Sequence, residues 1–219
     1  MKITHIEGTA IPLTLANLDT DQIMPKQFLR IIDKAGLAKG LLYDMRFDGD
    51  GQTRPESIFN QPTYAGAKIL VGGPNFACGS SREHAVWGLQ QYGIEAVIAS
   101  SYGEIFFFNA INNRLPLITL PQEDVEKIQQ DIANPATTHV SIDLENMVVK
   151  SHSHSAKFEM GERHRRIFTE GLDMIGATLT QAAAINAFAA AHWQRHPWMQ
   201  DVGAKTRQRL EGSNEGEYK

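Results

Sequence analysis

The stretch from Ala67 to Leu120 constrains the fold most. Three short apolar runs, Ala67 to Val71, Ala96 to Ala99 and Leu115 to Leu120, alternate with two segments of helical spacing. In Ser80 to Gln91 the inward positions are Ala85, Trp87 and Leu89; the second helix is Ile105 to Ile111. Ala96 to Ala99 is apolar throughout, the mark of a strand covered on both faces as in parallel sheets, and parallel neighbours need a crossover between them. Strand–helix–strand–helix–strand therefore predicts an α/β protein.

The flanks are less regular. Thr9 to Leu13 is expected as an edge strand, because Pro12 is poorly tolerated in a sheet centre. Asp44 to Pro62, rich in Asp, Gly, Asn and Pro, is expected as a long surface loop. Glu123 to Ile132 predicts a helix with a polar face. Val140 to Leu144 and Met147 to Lys150 flank Glu145-Asn146 as a hairpin, and Phe158 to Thr169 has mixed signals. Leu179 to Trp193 predicts an alanine-rich helix. We expect one domain over residues 1–198 and a polar, disordered tail over 199–219.

Composition narrows the function. A chain of 219 residues can bury a core without disulfide or metal staples. Its one cysteine excludes an internal disulfide and a four-thiolate metal or iron–sulfur site built from this chain alone. A net charge of −4 and a pI near 6.1 argue against general binding to nucleic acid or anionic membrane. Met1 to His5 has no apolar signal core, and no uninterrupted apolar run reaches about 18 residues. The expectation is a soluble, reduced, cytoplasmic protein.

Chemistry concentrates in Gly72 to Ala85. A strand ends in glycines, a loop of small residues follows, and a helix begins. Amide N–H groups at such a helix start favour an anion, and Arg82 adds a fork that matches a carboxylate or phosphate in two places. Ser80 and Ser81 put two hydroxyls at the same point. The commoner role of Ser80-Ser81-Arg82-Glu83 is a capping box, with His84 and Cys78 as packing residues. No G-x-S-x-G elbow and no Walker loop is present.

Asn75-Phe76-Ala77-Cys78-Gly79-Ser80-Ser81-Arg82-Glu83-His84-Ala85 resembles the signature of the 3-isopropylmalate dehydratase small-subunit family, which is related to the swivelling C-terminal domain of aconitase. Asn17 to Pro25, Ser101 to Phe106 with Asn109 and Leu115-Pro116, and Gly171 to Leu179 resemble three further motifs in the family's order. The resemblance covers about residues 1–198. It implies a swivelling β/β/α three-layer fold and one half of a heteromeric hydro-lyase in leucine biosynthesis. That enzyme dehydrates 2-isopropylmalate to an enoate and rehydrates it to 3-isopropylmalate. It also implies a large-subunit partner carrying a [4Fe–4S] cluster, so this chain is expected to bind no cofactor or metal and to be inactive alone.

By motif match, Ser80 is the base that removes the carbon-bound proton, and Ser81 and Arg82 hold a substrate carboxylate. A serine hydroxyl is a weak base in water, so it needs amide dipoles and a cation that favour the alkoxide. Thr20, Asp21 and His84 are supporting residues, Asp21 positioning the serine or an arginine. Asp19, Thr20 and Asp21 read better as an Asx-type turn than as a cation site. Arg30 is either a substrate contact or a solvated surface arginine.

Asn112-Asn113-Arg114 departs from the family's lysine–asparagine–glycine turn, so Arg114 is expected to avoid a left-handed backbone. His152 with His154, and His192 with His196, lack a third metal ligand, and Asp48-Gly49-Asp50-Gly51 lacks the EF-hand glutamate spacing. Two rivals remain: a related subunit acting on homoaconitate or citramalate, and a non-catalytic module that only binds an acid.

Overall fold

A computed structural model describes residues 2–30, 35–79 and 82–214. In chain order, β1 (His5–Leu13) leads into two single-turn helices, α1 (Thr20–Ile23) and α2 (Tyr43–Arg46). β2 (Ile69–Gly72), α3 (Glu83–Tyr92), β3 (Ala96–Ala99), α4 (Glu104–Asn112), β4 (Leu117–Thr119) and α5 (Gln122–Ala133) then alternate. β5 (His139–Asp143), β6 (Val148–Lys150), β7 (Ser155–Lys157) and α6 (Glu162–Thr169) follow. α7 (Met174–Leu179), α8 (Ala182–Arg195) and α9 (Val202–Asn214) come last.

The seven strands form one sheet in the order β4-β3-β2-β1-β5-β6-β7. β1 to β4 are parallel, and β5 to β7 extend the sheet antiparallel from the other side of β1. In the parallel half, the row Ile11, Leu70, Val97 and Leu117 is in register, and its side chains enter one core with residues of α1, α3 and α4. The alternate residues Ile69, Val71, Ile98 and Ile118 enter a second core with Val125, Ile128 and Ile132 of α5 and the inner face of β5 to β7. Period-two alternation between two cores explains why the strands read as continuous apolar runs. The α/β reading holds.

Pro12 requires a correction. β1 is central, not an edge strand. β5 pairs with it only from His5 to Thr9, and β2 pairs with Ala10 to Leu13. The amide of Ala10 reaches Thr138 O at 2.8 Å on the β5 side. The position of Pro12 faces the same side one step beyond the end of β5, where a missing N–H forfeits no ladder bond. The segment from Asp44 to Pro62 also holds more structure than expected: Phe47 bridges Thr53, and Asn60 Nδ2 donates to the carbonyls of Arg46 and Arg54.

Two compact units divide the chain, Met1–Met174 and Ile175–Lys219, whereas the expected division lay at 198/199. In the second unit, α9 is helical where the sequence suggests an irregular tail. Ala204, Lys205, Arg207, Gln208, Leu210 and Glu211 are strong helix formers, a propensity that the scarcity of large apolar groups conceals. Residues 215–219 of that tail lie outside the described residues. His192 and His196 belong to a ladder of rings with Phe188 and Trp198, with centroids 4.9–5.6 Å apart. Among the described residues no helix is long and apolar enough to cross a membrane.

Arg114 overturns its expectation, with φ of +60°. The chain must turn from α4 straight into the buried Leu115 and β4. The turn closes by Arg114 N to Ile111 O at 3.0 Å and Leu115 N to Ala110 O at 2.8 Å, a helix end that requires one left-handed residue. Nε and Nη2 of Arg114 are buried without a hydrogen-bond partner among the described residues. Arg114→Gly is therefore expected to raise stability by about 1 kcal/mol, read from the urea midpoint.

Asp131, near the end of α5, accepts hydrogen bonds from Ser151 Oγ, Ser153 N and Ser153 Oγ at 2.5–2.8 Å. Burial disfavours its charge, but the bonds from Ser151 and Ser153 and the nearness of His152 outweigh it, so its pKa is lowered. A lowered folded pKa contributes stability that is complete above the unfolded value of about 3.9 and is lost as pH falls through the folded one. Asp131→Asn is expected to be less stable than the parent by a constant margin above about pH 5, and the margin should shrink below about pH 4. Unfolding curves across that range test this.

Candidate active site

The loops that follow β1, β2 and β3 meet at the carboxyl ends of the parallel strands, where open α/β sheets bind their ligands. Their backbones are laced together. Asn17 N donates to Pro74 O, Cys78 N to Leu18 O and Thr20 N to Cys78 O, at 2.9–3.0 Å. Phe76 N donates to Ser101 O, and Gly103 N returns to Phe76 O, at 3.0 and 2.9 Å. Phe76 is fully buried beneath the loops, edge-on to Tyr102 and Phe106.

Two glycines permit this approach. A Cβ on Gly103 would lie 2.3 Å from Ala77 O, and one on Gly79, at φ +91°, would lie 2.2 Å from Asp19 Oδ2. Asn17, Asn75 and Ala77 also have φ of +54° to +56°, so backbone strain gathers here. Asn75 Nδ2 donates to Asn17 Oδ1 at 2.8 Å, and Cys78 Sγ to Asn17 O at 3.2 Å. Tyr102 fastens the third loop to the sheet by donating to Val97 O and Ile118 O, and burial pushes its phenol well up.

Asp19 caps α1. Its Oδ1 accepts from Asp21 N at 2.6 Å, and Gln22 Oε1 accepts from Asp19 N at 2.9 Å. The Asx-type reading of this segment is what the geometry has. Thr20 is buried, with its amide on Cys78 O. The capped turn sets Asp21 between two cations: Oδ1 is 3.3 Å from Arg82 Nε, and Oδ2 is 3.6 Å from Lys26 Nζ. The Arg82 contact is an ion pair without hydrogen-bond alignment. Among the described residues neither Asp21 Oδ1 nor Arg82 Nε makes a hydrogen bond, although both atoms are buried.

Arg82, extended at φ −127°, is the N-cap of α3, and its side chain does not cap that helix. Glu83 takes the first helical position, and its carboxylate accepts from Asn113 Nδ2 at 2.6 Å; it makes no capping box from there. His84 lies in the first turn with its ring 4.9 Å from Trp87. Ser80 and Ser81 lie outside the described residues, and Gly79 and Arg82 on either side of them both meet the Asp19–Asp21 segment. Arg30 is exposed, and among the described residues no hydrogen bond or ion pair joins it to this cluster. Among the described residues no group of three or more His, Cys, Asp or Glu could hold a metal ion. The roles of Asn17, Asn75 and Ser101, whose Oγ accepts from Asn75 N at 2.8 Å, were not read from the sequence. Asparagine's tolerance of left-handed backbone is the one signal that could have shown the first two.

This sheet and site define a domain of the aconitase C-terminal type. The family model described as the aconitase C-terminal domain matches residues 1–123. A second family model, described as the C-terminal domain of the 3-isopropylmalate dehydratase small subunit, matches residues 174–202, beginning one residue before the second compact unit. The chain is 62% identical to "3-isopropylmalate dehydratase small subunit 1" of Chromobacterium violaceum, over 94% of this chain and 98% of that relative. It is 42% identical to "3-isopropylmalate dehydratase small subunit" of Paracoccus denitrificans, over 90% and 99%. A crystal structure of 3-isopropylmalate dehydratase (leuD) from Methanocaldococcus jannaschii is 28% identical and superposes with a TM-score of 0.59, covering 84% of this chain and 98% of that one. The chain belongs to the 3-isopropylmalate dehydratase small-subunit family.

Gly103→Ala is expected to destabilise the fold by about 1–3 kcal/mol, because backbone opposes the new methyl, and to reduce turnover of the assembled enzyme. Thermal unfolding and a turnover assay of the reconstituted complex would check both; an unchanged melting temperature would refute the close approach.

Proposed function

We propose that this chain is the small subunit of 3-isopropylmalate dehydratase, working in the cytoplasm with a large subunit to interconvert 2- and 3-isopropylmalate. The observation that carries the reading is Arg82, at the start of α3 and beside Asp21, on the loops at the strand carboxyl ends. Family membership supplies the reaction, and the geometry supports a carboxylate-gripping role for this chain.

Ser80 removes the carbon-bound proton as hydroxide leaves the neighbouring carbon, giving the enoate. It returns a proton when water adds in the opposite sense. Arg82 and Ser81 hold a substrate carboxylate. Asp21 lies 3.3 Å from the Nε side of Arg82, which leaves the two terminal nitrogens as the edge that an anion can take. The positive end of α3 and the guanidinium both favour a serine alkoxide. Thr20 fixes the turn that carries Asp21, and His84 packs in the first turn of α3.

One cysteine, bonded through Sγ to Asn17 O, cannot ligate an iron–sulfur cluster, so the residues present do not fit that group and the large subunit supplies its ligands. Bound there, a [4Fe–4S] cluster would supply the Lewis acid for the departing hydroxyl.

Ser80→Ala, co-assembled with the large subunit, is expected to keep complex formation and lose about 10²- to 10⁴-fold in turnover of 2-isopropylmalate, assayed without oxygen. Near-parental turnover would remove Ser80 from the base role. Preferred turnover of homoaconitate or citramalate by the parent pair would reassign the substrate.

A further inference from the structure

We propose that Ile175 to Gln200 is the surface by which this chain holds its large subunit, with Phe188 of α8 and Trp198 as anchors. The docking presupposes the two-subunit reading above and adds the place where the subunits are held together.

The second compact unit, Ile175–Lys219, builds no core of its own: among its described residues none is buried. From Ala182 to Ala191 the one polar residue of α8 is Asn186, and a helix that is apolar all round belongs in an interior. Ile185 and Phe188, one turn apart, are nevertheless exposed, Phe188 at 71%, and His192 stacks on Phe188 one turn further on. Trp198 and Met199, just past the helix end, are exposed as well.

Charge marks the limits of this surface. From Ile175 to Gln200 the sequence has no Lys, Asp or Glu and a single Arg, Arg195. Asp201, Lys205, Arg207, Arg209 and Glu211 follow directly. Loss of Lys, Asp and Glu with aromatics, Met and Arg retained is the composition of an interface core, not of a solvated face. The stretch is 26 residues long, and each side of a stable interface contributes about 20–30.

The large subunit is the occupant that the surroundings favour. Among its described residues the first unit exposes four large hydrophobics, Leu15, Ile105, Phe108 and Met174, which make no apolar face of matching extent. The family model that matches residues 1–123 describes a C-terminal domain, which its own chain tethers. The model that matches residues 174–202 describes a part of the small subunit, and it ends two residues past the stretch without acids or lysines. A separate subunit needs a non-covalent hold where a domain has a tether, and the segment particular to the subunit carries the apolar surface for it.

Full-length variants test this, titrated with the large subunit without oxygen and followed by sedimentation velocity. Phe188→Ala, which keeps the helix propensity of α8, and Trp198→Ala should each weaken assembly at least about tenfold, as the loss of an aromatic anchor does. Leu210→Ala, on α9 and also exposed, should assemble like the parent. At saturating large subunit, Phe188→Ala should reach parental turnover of 2-isopropylmalate, and its melting temperature as a free chain should be parental. Parental affinity in both anchor variants, or equal weakening by Leu210→Ala, would overturn the proposal. So would a lowered melting temperature of free Phe188→Ala, which would give the surface to the chain's own packing, or a dimer of the free parent that Phe188→Ala dissolves, which would give it to a second copy. Failure of the parent itself to bind the large subunit would instead remove the two-subunit reading, and this docking with it.

Discussion

The arrangement depends on one close approach: the carbonyl of Ala77 sits 2.3 Å from where a Cβ of residue 103 would be. Only glycine allows the second and third loops to touch through their backbones there. Once they touch, the bonds between Phe76, Ser101 and Gly103 and between Leu18, Cys78 and Thr20 form one continuous lacing. Each such bond contributes about 1 kcal/mol net. Together they offset the left-handed backbones of Asn17, Asn75 and Ala77, which the loops need in order to turn back so tightly. Phe76, buried under the lacing, turns a surface of loops into the lid of a hydrophobic core. The laced loops roof the core between α3 and α4.

On that roof the charges are placed by backbone. The cap on Asp19 fixes the turn, and the turn delivers Asp21 to Arg82. The pair is about one-third exposed, and a pair of that kind adds little stability in water. Its geometry matters more than its energy. A carboxylate on Nε leaves the end of the guanidinium as the open side, so the arginine is oriented without being neutralised by a full fork-to-fork pair. Lys26 lies against the other oxygen of Asp21, so that carboxylate is flanked by two cations and neither of them is matched to it alone.

The parallel half is legible in the sequence because its strands are buried on both faces. Apolar runs such as Ala96 to Ala99 have no competing reading once helices flank them. The site motif is legible as a family signature, and Asp19 as a turn residue by its own chemistry. What stays hidden is non-local. Pro12 reads as an edge residue, but its tolerance depends on where β5 stops, more than 120 positions along the chain. Asp21 and Arg82 are about sixty residues apart, and only the loop lacing makes them neighbours. α9 lacks the apolar stripe that reveals a packed helix, so propensity is its one signal.

Strand polarity organises the rest. Parallel strands point all their carboxyl ends, and the starts of the returning helices, to one side of the sheet; the amino ends and the helix ends gather on the other. The first side favours anions through amide N–H groups, and the protein adds Arg82 and Lys26 to it. The second side is lined by helix carbonyl ends and disfavours anions. A basic residue there can act as a counter-charge to the last turn of its own helix. Arg114 follows α4 and fits that role by position, yet two of its nitrogens meet no carbonyl of the described residues. A guanidinium that only balanced the helix dipole would bond the last carbonyls or reach solvent. Arg114 as a whole is partly exposed, but its Nε and Nη2 end buried without an acceptor among the described residues, a local cost set beside the two backbone bonds that close the turn after α4.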